Sequence, residues 1–154
     1  MPCNISLCLL IALAVLVAPG AAAADGFVLV CNARGSPASL SRAEVRALYT
    51  GKVKTLGGSI VVVVVRGEDD ALFGAFVDQT FGIPTRALLA KIRQEVFKGE
   101  MTKPINAASD DDVIRAVAAS PGVIGVISSH AAGHLPKTVT AAITWSICTS
   151  KRNG

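Results

Sequence analysis

Aromatic residues and clustered positive charge are both scarce in this sequence. Its 154 residues include one Trp and one Tyr, and the Lys and Arg residues are spread along the chain without forming a basic run. Proteins that bind nucleic acids combine a basic surface with aromatic side chains on which bases stack. We therefore expect no nucleic-acid partner, whereas the net charge of +4 is compatible with an anionic ligand.

Motifs of covalent catalysis are also absent. The sequence has no G-x-S-x-G motif, and Ser128 and Ser129, which lie near its two histidines, have no special turn signature around them. A hydrolase needs a nucleophile beside a positioned base. Glu68 and Asp70 have the side chains of an acid–base pair, but no further motif supports that role. We expect no enzymatic activity, no catalytic residues and no cofactor.

Residues that bind metals are present, but not in the patterns that metal sites use. The acidic triplets 68–70 and 110–112 stand at predicted helix starts, where capping and the helix dipole favour acids, and they lack the alternating pattern of a calcium loop. His130 and His134 are four residues apart, a spacing that places two ligands on one helix face. Gly133 disfavours a helix there, and no third ligand is adjacent. We expect no metal site.

The amino-terminal segment is almost wholly apolar from Ile5 to Ala18 and ends at Pro19-Gly20 before a run of alanines. An apolar core followed by small residues is typical of a secretory signal peptide. The core is shorter than the roughly 20 residues that a membrane-spanning helix needs, although no Lys or Arg precedes it. We predict a signal peptide over residues 1–24, a periplasmic or secreted mature protein, and no membrane insertion after cleavage. A retained membrane anchor is the alternative.

The mature chain has the length of one domain. Removal of 24 of the 154 residues leaves 130, enough for one hydrophobic core. We predict a domain over residues 25–148 and a polar tail over 149–154. Cys31 and Cys148 are the two cysteines after residue 24. In an oxidising compartment they either form a disulfide between the first strand and the C-terminal segment or stay as buried thiols.

Strand and helix patterns alternate along the mature chain. Ser41 and Glu44 form a capping box before an amphipathic helix. The unbroken run Ile60–Val65 predicts one central strand that is covered on both faces. The other predicted elements are a first strand at Phe27–Asn32, helices that begin at Asp69 or Asp70, at Thr85 and at Ser109 or Asp110, strands at Val123–Ile127 and Thr138–Ile147, and a loop or short helix at 128–136. This alternation predicts an α/β sandwich.

Three segments carry a family resemblance. They are a helix followed by Gly-Lys (40–52), a strand ending in an arginine before an acidic turn (60–66, then Phe76), and a Pro-Gly turn into a strand (120–126). In order and spacing they resemble the substrate-binding proteins of phosphate ABC transporters, particularly a short single-domain branch. The resemblance extends over most of the stretch 40–127. It implies a periplasmic-binding-protein fold of type II, reduced to a single α/β lobe with a central mixed sheet flanked by helices.

An anion site is expected where the valine-rich strand gives way to the next helix. Backbone N–H groups at a helix start are unsatisfied and lie at the positive end of the helix dipole. Arg66 ends the strand and is placed to make a bidentate contact with an anion. We expect Arg66, Gly67 and Asp70 to form the site together with Ser36, because ligands collect at the carboxyl ends of strands. The alternative for Ser36 is an ordinary Ser-Pro turn.

The sequence departs from the family where the ligand is expected. In full-length phosphate binders a Ser-Gly-Thr run follows the arginine, and here the matching residues are Asp70, Ala71 and Leu72. One carboxylate accepts the proton of hydrogen phosphate, but like charges about 4 Å apart repel by roughly 1 to 4 kcal/mol. Two functions therefore stay open. One is an exported binding protein for phosphate or another small oxyanion, with an ABC transporter in the membrane as partner. The other is an exported accessory protein that keeps the fold without the ligand.

Overall fold

Strands and helices alternate along the described chain. The computed structural model describes residues 26–34 and 39–145. The strands are β1 (Phe27–Asn32), β2 (Thr55–Leu56), β3 (Ser59–Ile60), β4 (Val62–Val65), β5 (Ile105–Asn106), β6 (Val123–Ser128) and β7 (Val139–Trp145). The α-helices are α1 (Arg42–Tyr49), α2 (Ala71–Phe81), α3 (Thr85–Phe97) and α4 (Asp110–Ala119), and a short 3₁₀ helix lies at Ala131–His134.

Five strands form one mixed sheet in the order β5-β4-β6-β1-β7. β4 is parallel to both of its neighbours, with Val64 opposite Ile105 of β5 and Val62 opposite Val123 of β6. β1 runs antiparallel to β6 and to β7. The carboxyl ends of β4, β5 and β6 therefore lie at one end of the sheet, and β1 finishes at the opposite end.

Helices cover both faces of this sheet. Phe27 and Leu29 of β1 belong to one apolar cluster with the buried residues of α1, α2 and α3, whereas Val28 and Val30 belong to a second cluster with those of α4. Every residue of β1 is buried, as expected for a strand that is covered on both faces. The buried helix residues are Val45, Leu48 and Tyr49 of α1, Phe73, Phe76 and Val77 of α2, Leu88 and Ile92 of α3, and Val113 and Val117 of α4. The predicted α/β fold, a central mixed sheet flanked by helices, is confirmed.

The valine-rich run forms two strands, which corrects the prediction of one strand over Ile60–Val65. β3 pairs with β2 in a hairpin, and its Ile60 is 66% exposed. The N–H of Val61 donates to the carbonyl of Lys54 at 2.9 Å, so the chain joins the central sheet only at β4. Backbone pairing in the hairpin, rather than side-chain apolarity, determines where Ile60 lies.

The sequence pattern does not predict β5. Ile105 and Asn106 are both exposed, so no apolar alternation marks them. Backbone pairing holds the strand in place, because it lies parallel to β4 and the N–H of Ala107 donates to the carbonyl of Val65 at 3.0 Å. This short strand forms the edge of the five-stranded sheet.

The helix starts agree with the predicted caps. The Ser41 hydroxyl accepts from Glu44 N–H at 3.2 Å, and the Glu44 carboxylate accepts from Ser41 N–H at 2.6 Å. The bond from the Ser41 backbone lowers the pKa of Glu44 below its ordinary value. Ser109 caps α4 through a 3.2 Å bond from Asp112 N–H. These local contacts explain why the starts of the helices were predictable.

Several predicted features fall on residues that the structure does not describe. They are the signal peptide at 1–24, Ser36, Cys148 and the tail at 149–154. Cys31 is buried in β1, and its thiol donates to the carbonyl of Thr140 at 3.7 Å. The two alternatives for Cys31 and Cys148, a disulfide or separate buried thiols, both stay predictions. Within residues 26–34 and 39–145, no helix has the length and apolar character required to cross a membrane.

Candidate anion-binding site

Arg66 directly follows β4, at the end of the sheet where the parallel strands finish. Its side chain is 10% exposed and lies between two carboxylates. The Nη1 atom is 2.6 Å from Oδ1 of Asp110, and the Nε atom is 2.8 Å from Oδ2 of Asp70. The guanidinium group is therefore fixed between the residue that caps α2 and the first residue of α4.

Asp70 is both a helix cap and an ion-pair partner. Its Oδ1 accepts a hydrogen bond from the N–H of Phe73 at 2.8 Å, while Oδ2 faces Arg66. The N–H of Asp70 donates to the carbonyl of Gly67 at 3.1 Å, which closes a tight turn after β4. Gly67 is exposed, and no atom outside residues 66–68 lies within 4 Å of where a Cβ would stand. The turn thus leaves open space beside Arg66.

Asp110 connects Arg66 to a second strand. Its Oδ1 receives the contact from Arg66, and its Oδ2 accepts the Ser128 hydroxyl hydrogen at 2.6 Å. The Ser128 Oγ in turn accepts from the N–H of Ala131 at 3.2 Å. This series of contacts joins the ends of β4 and β6 to the start of α4. The position of the guanidinium group is therefore set by three elements of the fold.

The Nε–H group of Arg66 has no hydrogen-bond acceptor among the described residues. The 2.8 Å separation from Asp70 is that of an ion pair, but the N–H bond is not directed at the carboxylate oxygen, so no hydrogen bond forms. The carboxylate of Asp70 compensates the charge of the guanidinium group, so what this donor lacks is a directed hydrogen bond. An oxygen atom from a ligand, placed along the N–H bond, would supply it.

Two pockets open at this end of the sheet. One has a volume of about 540 Å³ and lies against Arg66, Gly67, the face of α3 and the segment 103–106. The other has a volume of about 550 Å³ and is formed by Gly67, Asp70 and residues 106–108. Gly67 and Asn106 belong to both pockets. A ligand at either place lies beside the turn that follows β4.

The site contains two negatively charged groups and one positively charged group. One guanidinium group faces the carboxylates of Asp70 and Asp110, whose side chains are 19% and 25% exposed. The neighbouring Glu68 lies 3.9 Å from Arg86 in an exposed pair, which contributes little. A fully ionised anion therefore meets attraction from Arg66 and repulsion from two fixed carboxylates. An anion that carries a proton can instead donate it to one of them.

Three of the four predicted site residues lie together. Arg66, Gly67 and Asp70 form the turn after β4. Ser36 is outside the described residues, and the strand that precedes it ends at the opposite end of the sheet from Arg66. Nothing in the sequence indicated that Asp110 and Ser128 lie at this candidate site. Asp110 stood out only as part of an acidic helix start, and nothing local linked it to Arg66.

Potential metal ligands do not cluster in the part of the chain that the structure describes. Residues 26–34 and 39–145 contain no group of three His, Cys, Asp or Glu side chains arranged to hold an ion. His130 and His134 lie at the 3₁₀ helix, and their ring centroids are 6.4 Å apart. The carboxylates of Asp70 and Asp110 converge on a guanidinium group instead.

The fold is similar to that of several phosphate-transport proteins. A Clostridium perfringens protein assigned as a phosphate ABC transporter substrate-binding protein, solved with bound phosphate, has 19% identity and a TM-score of 0.58 over 77% of this chain. An ABC-type phosphate transport receptor from Vibrio cholerae has 18% identity and a TM-score of 0.56 over 76% of this chain. PstS from Borrelia burgdorferi has 15% identity and a TM-score of 0.51 over 71% of it. No protein-family model matches the sequence, and no curated protein is significantly similar to it.

The match extends over less than half of each compared structure. This chain spans 44%, 45% and 42% of the three proteins, respectively. At such low sequence identity the likeness shows the fold alone. It confirms the predicted fold, because the chain shares the α/β architecture of part of each of these proteins.

Proposed function

We propose that this chain is an exported solute-binding protein that holds phosphate or another small oxyanion beside Arg66. The observation that carries the proposal is the Nε–H of Arg66, which is buried, lies beside a pocket and has no acceptor among the described residues. A phosphate oxygen supplies an acceptor of the right charge. The likeness of the fold to phosphate-transport proteins supports the same class of ligand.

The turn after β4 offers further donors. The first hydrogen bond within α2 runs from Gly74 N–H to the carbonyl of Asp70, at 2.9 Å. The amides of Ala71 and Leu72 precede it and have no partner inside the helix. They lie at the positive end of the α2 dipole, where an anion is stabilised. Arg66 would provide the charge, and these amides and the open turn at Gly67 would surround the ligand.

The carboxylates give the site a preference among anions. Asp70 or Asp110 accepts the proton of hydrogen phosphate, which turns a like-charge contact into a hydrogen bond. Sulfate has no proton to donate at neutral pH and meets the repulsion of both carboxylates. The proposed site therefore selects phosphate over sulfate.

The apolar amino-terminal segment supports a proposal about location. Residues 1–24 act as a signal peptide, and the mature domain works in the periplasm or outside the cell. An ABC transporter in the membrane is the proposed partner, because the structures with the same fold belong to such systems. The chain spans 44% and 45% of the length of those two proteins.

One observation favours the second candidate function, an exported accessory protein without a ligand. Asp70 and Asp110 already contact Arg66 in the way that an anion would, at 2.8 and 2.6 Å. If these contacts hold against a ligand, the cluster is a structural ion pair that joins α2 and α4. The two functions differ in whether Arg66 contributes to binding.

Isothermal titration of the mature protein with phosphate and with sulfate tests the proposal. We expect phosphate to bind more tightly than sulfate. Arg66→Lys keeps the positive charge but loses the fork of donors, so it should weaken phosphate binding about tenfold, the equivalent of one lost charge-assisted hydrogen bond. Arg115→Lys is the matched control, because Arg115 is 77% exposed and, among the described residues, forms an ion pair only with Asp112 on its own helix.

Asp110→Asn provides a second variant that retains the shape of the site. Removal of one carboxylate should strengthen sulfate binding and so reduce the ratio of the affinity for phosphate to the affinity for sulfate. Asp111→Asn, one residue away and exposed, should change neither. Phosphate binding that is millimolar or weaker, and equal in the wild type and Arg66→Lys, would favour the accessory function.

A further inference from the structure

The pocket between α3 and the edge of the sheet is larger and more apolar than a simple oxyanion requires. Its wall is formed by apolar side chains of α3, namely Leu89, Ile92, Val96 and Phe97. Ile92 is buried, Leu89 and Val96 are half-buried, and Phe97 is 93% exposed at the end of the helix. Arg66 lies on the same pocket, so an apolar surface adjoins the proposed anion site.

The volume agrees with an organic ligand. Pockets that bind small organic molecules have volumes of about 300 to 1,000 Å³ and are mostly apolar, with a few polar groups that orient the ligand. This pocket, at about 540 Å³, is within that range. Inorganic phosphate would occupy only a small part of it and would make no use of the α3 wall.

The charge of the pocket agrees with an anionic ligand. Arg66, Arg93 and Lys103 belong to its lining, and no described Asp or Glu does. Neither Arg93 nor Lys103 forms an ion pair within residues 26–34 and 39–145. The adjoining pocket by contrast includes Asp70. A ligand that approaches from the α3 side meets cations and apolar surface together.

We infer that the site takes an organic oxyanion, a phosphonate or phosphate monoester, whose alkyl or aryl group lies against α3. This inference rests on the proposed function, because the charged head of the ligand binds Arg66. The head accepts a hydrogen bond from the Nε–H of Arg66, which makes an ion pair with Asp70 but no directed hydrogen bond within the described residues, and the apolar group packs against Val96 and Phe97. The apolar side chains of α3, rather than Arg66, then make organic ligands bind more tightly than inorganic phosphate.

Paired titrations with phenylphosphonate and inorganic phosphate test the inference. Burial of an aromatic ring against an apolar wall adds at least about 1.4 kcal/mol, a factor of ten in affinity. We therefore expect the mature protein to bind phenylphosphonate about tenfold more tightly than phosphate. Phe97→Ser should reduce that ratio about fivefold or more. Ile60→Ser is the matched control, since Ile60 is exposed on the β2–β3 hairpin away from this pocket, and it should leave the ratio unchanged.

The outcomes of these titrations distinguish failure of this inference from failure of the proposed function on which it rests. Equal affinity for the two ligands, or a ratio that Phe97→Ser does not lower, overturns the organic-ligand inference and leaves phosphate binding in place. Failure of both ligands to bind overturns the proposed function as well. Phe97 is largely exposed, so its replacement is expected to leave the fold intact, and circular dichroism of the variant verifies this.

Discussion

Arg66 is held by carboxylates that belong to two different helices. Asp70 precedes α2 and Asp110 begins α4, so the three side chains join the places where two helices start and β4 ends. Buried ion pairs lose hydration when they form, and they fix geometry more than they stabilise a fold. The protein itself thus holds the guanidinium group in position, which would reduce the ordering that the proposed binding requires.

Tyr49 is the single tyrosine of the chain, and it is fully buried. Its hydroxyl donates to the carbonyl of Val64 at 3.2 Å, and its ring packs against Phe76 and Phe81. Burial raises the pKa of Tyr49 above its ordinary value. In the folded protein the hydroxyl therefore stays protonated at pH values where a tyrosine in the unfolded chain ionises.

Tyr49→Phe gives a prediction about stability and pH. Below about pH 10 the tyrosine is neutral in both states, and loss of its hydrogen bond should lower the free energy of unfolding by about 1 kcal/mol. Above about pH 10 the tyrosine ionises in the unfolded wild type but not in the folded protein, and this lowers the free energy of unfolding of the wild type. The variant has no hydroxyl to ionise at this position, so its free energy of unfolding does not fall for this reason. The difference in the free energy of unfolding between the wild type and Tyr49→Phe should therefore shrink as the pH rises. Urea unfolding at about pH 8 and about pH 11 measures it, and a constant difference contradicts the assignment.

Helix starts were the part of the fold that the sequence predicted best. Ser41, Asp70 and Ser109 each accept a hydrogen bond from the amide three residues on, so the signal is contained in a few neighbouring residues. Strand order and direction depend on pairing between distant segments. No local pattern placed β1 antiparallel between β6 and β7, or added the exposed pair Ile105–Asn106 as an edge strand.

The Pro-Gly turn before β6 requires a glycine at position 122, and the pattern of apolar residues does not indicate this requirement. Gly122 has a φ of +82°, and a Cβ atom there would lie 2.3 Å from the carbonyl oxygen of Ile60. The carbonyl of Gly122 also accepts from Val62 N–H at 3.0 Å. Only glycine allows the backbone to approach the hairpin this closely. The start of β4 and the start of β6 thus depend on one residue without a side chain.

Gly122→Ala should therefore destabilise the protein by about 3 kcal/mol, from backbone strain together with the clash. Gly58→Ala is the matched control, because Gly58 has a φ of +83° but no atom outside residues 57–59 lies within 4 Å of the place its Cβ would take. It should cost only about 1 kcal/mol. Chemical denaturation of both variants compares the two effects. Equal losses of stability would show that the contact with Ile60 has no energetic role.

At the scale of the whole molecule, the proposed site lies at one open end of a single sheet. The sequence predicted the neighbouring members Arg66, Gly67 and Asp70, because they follow one strand in immediate succession. It could not connect them with Asp110, which contacts Arg66, or with Ser128, which contacts Asp110, because these contacts depend on β6 lying beside β4 and α4 packing against β6. The net charge of +4 likewise gave no indication that carboxylates surround the central guanidinium.

The central claim is that the buried Nε–H of Arg66 receives a ligand oxygen. The most direct measurement follows the arginine Nε–H signals of the ¹⁵N-labelled mature protein by NMR during a titration with phosphate. The account predicts that the Arg66 signal, assigned by its loss in Arg66→Lys, moves in a saturable way, while that of the exposed Arg115 stays in place. An Arg66 signal that remains unchanged at tens of millimolar phosphate would contradict the account.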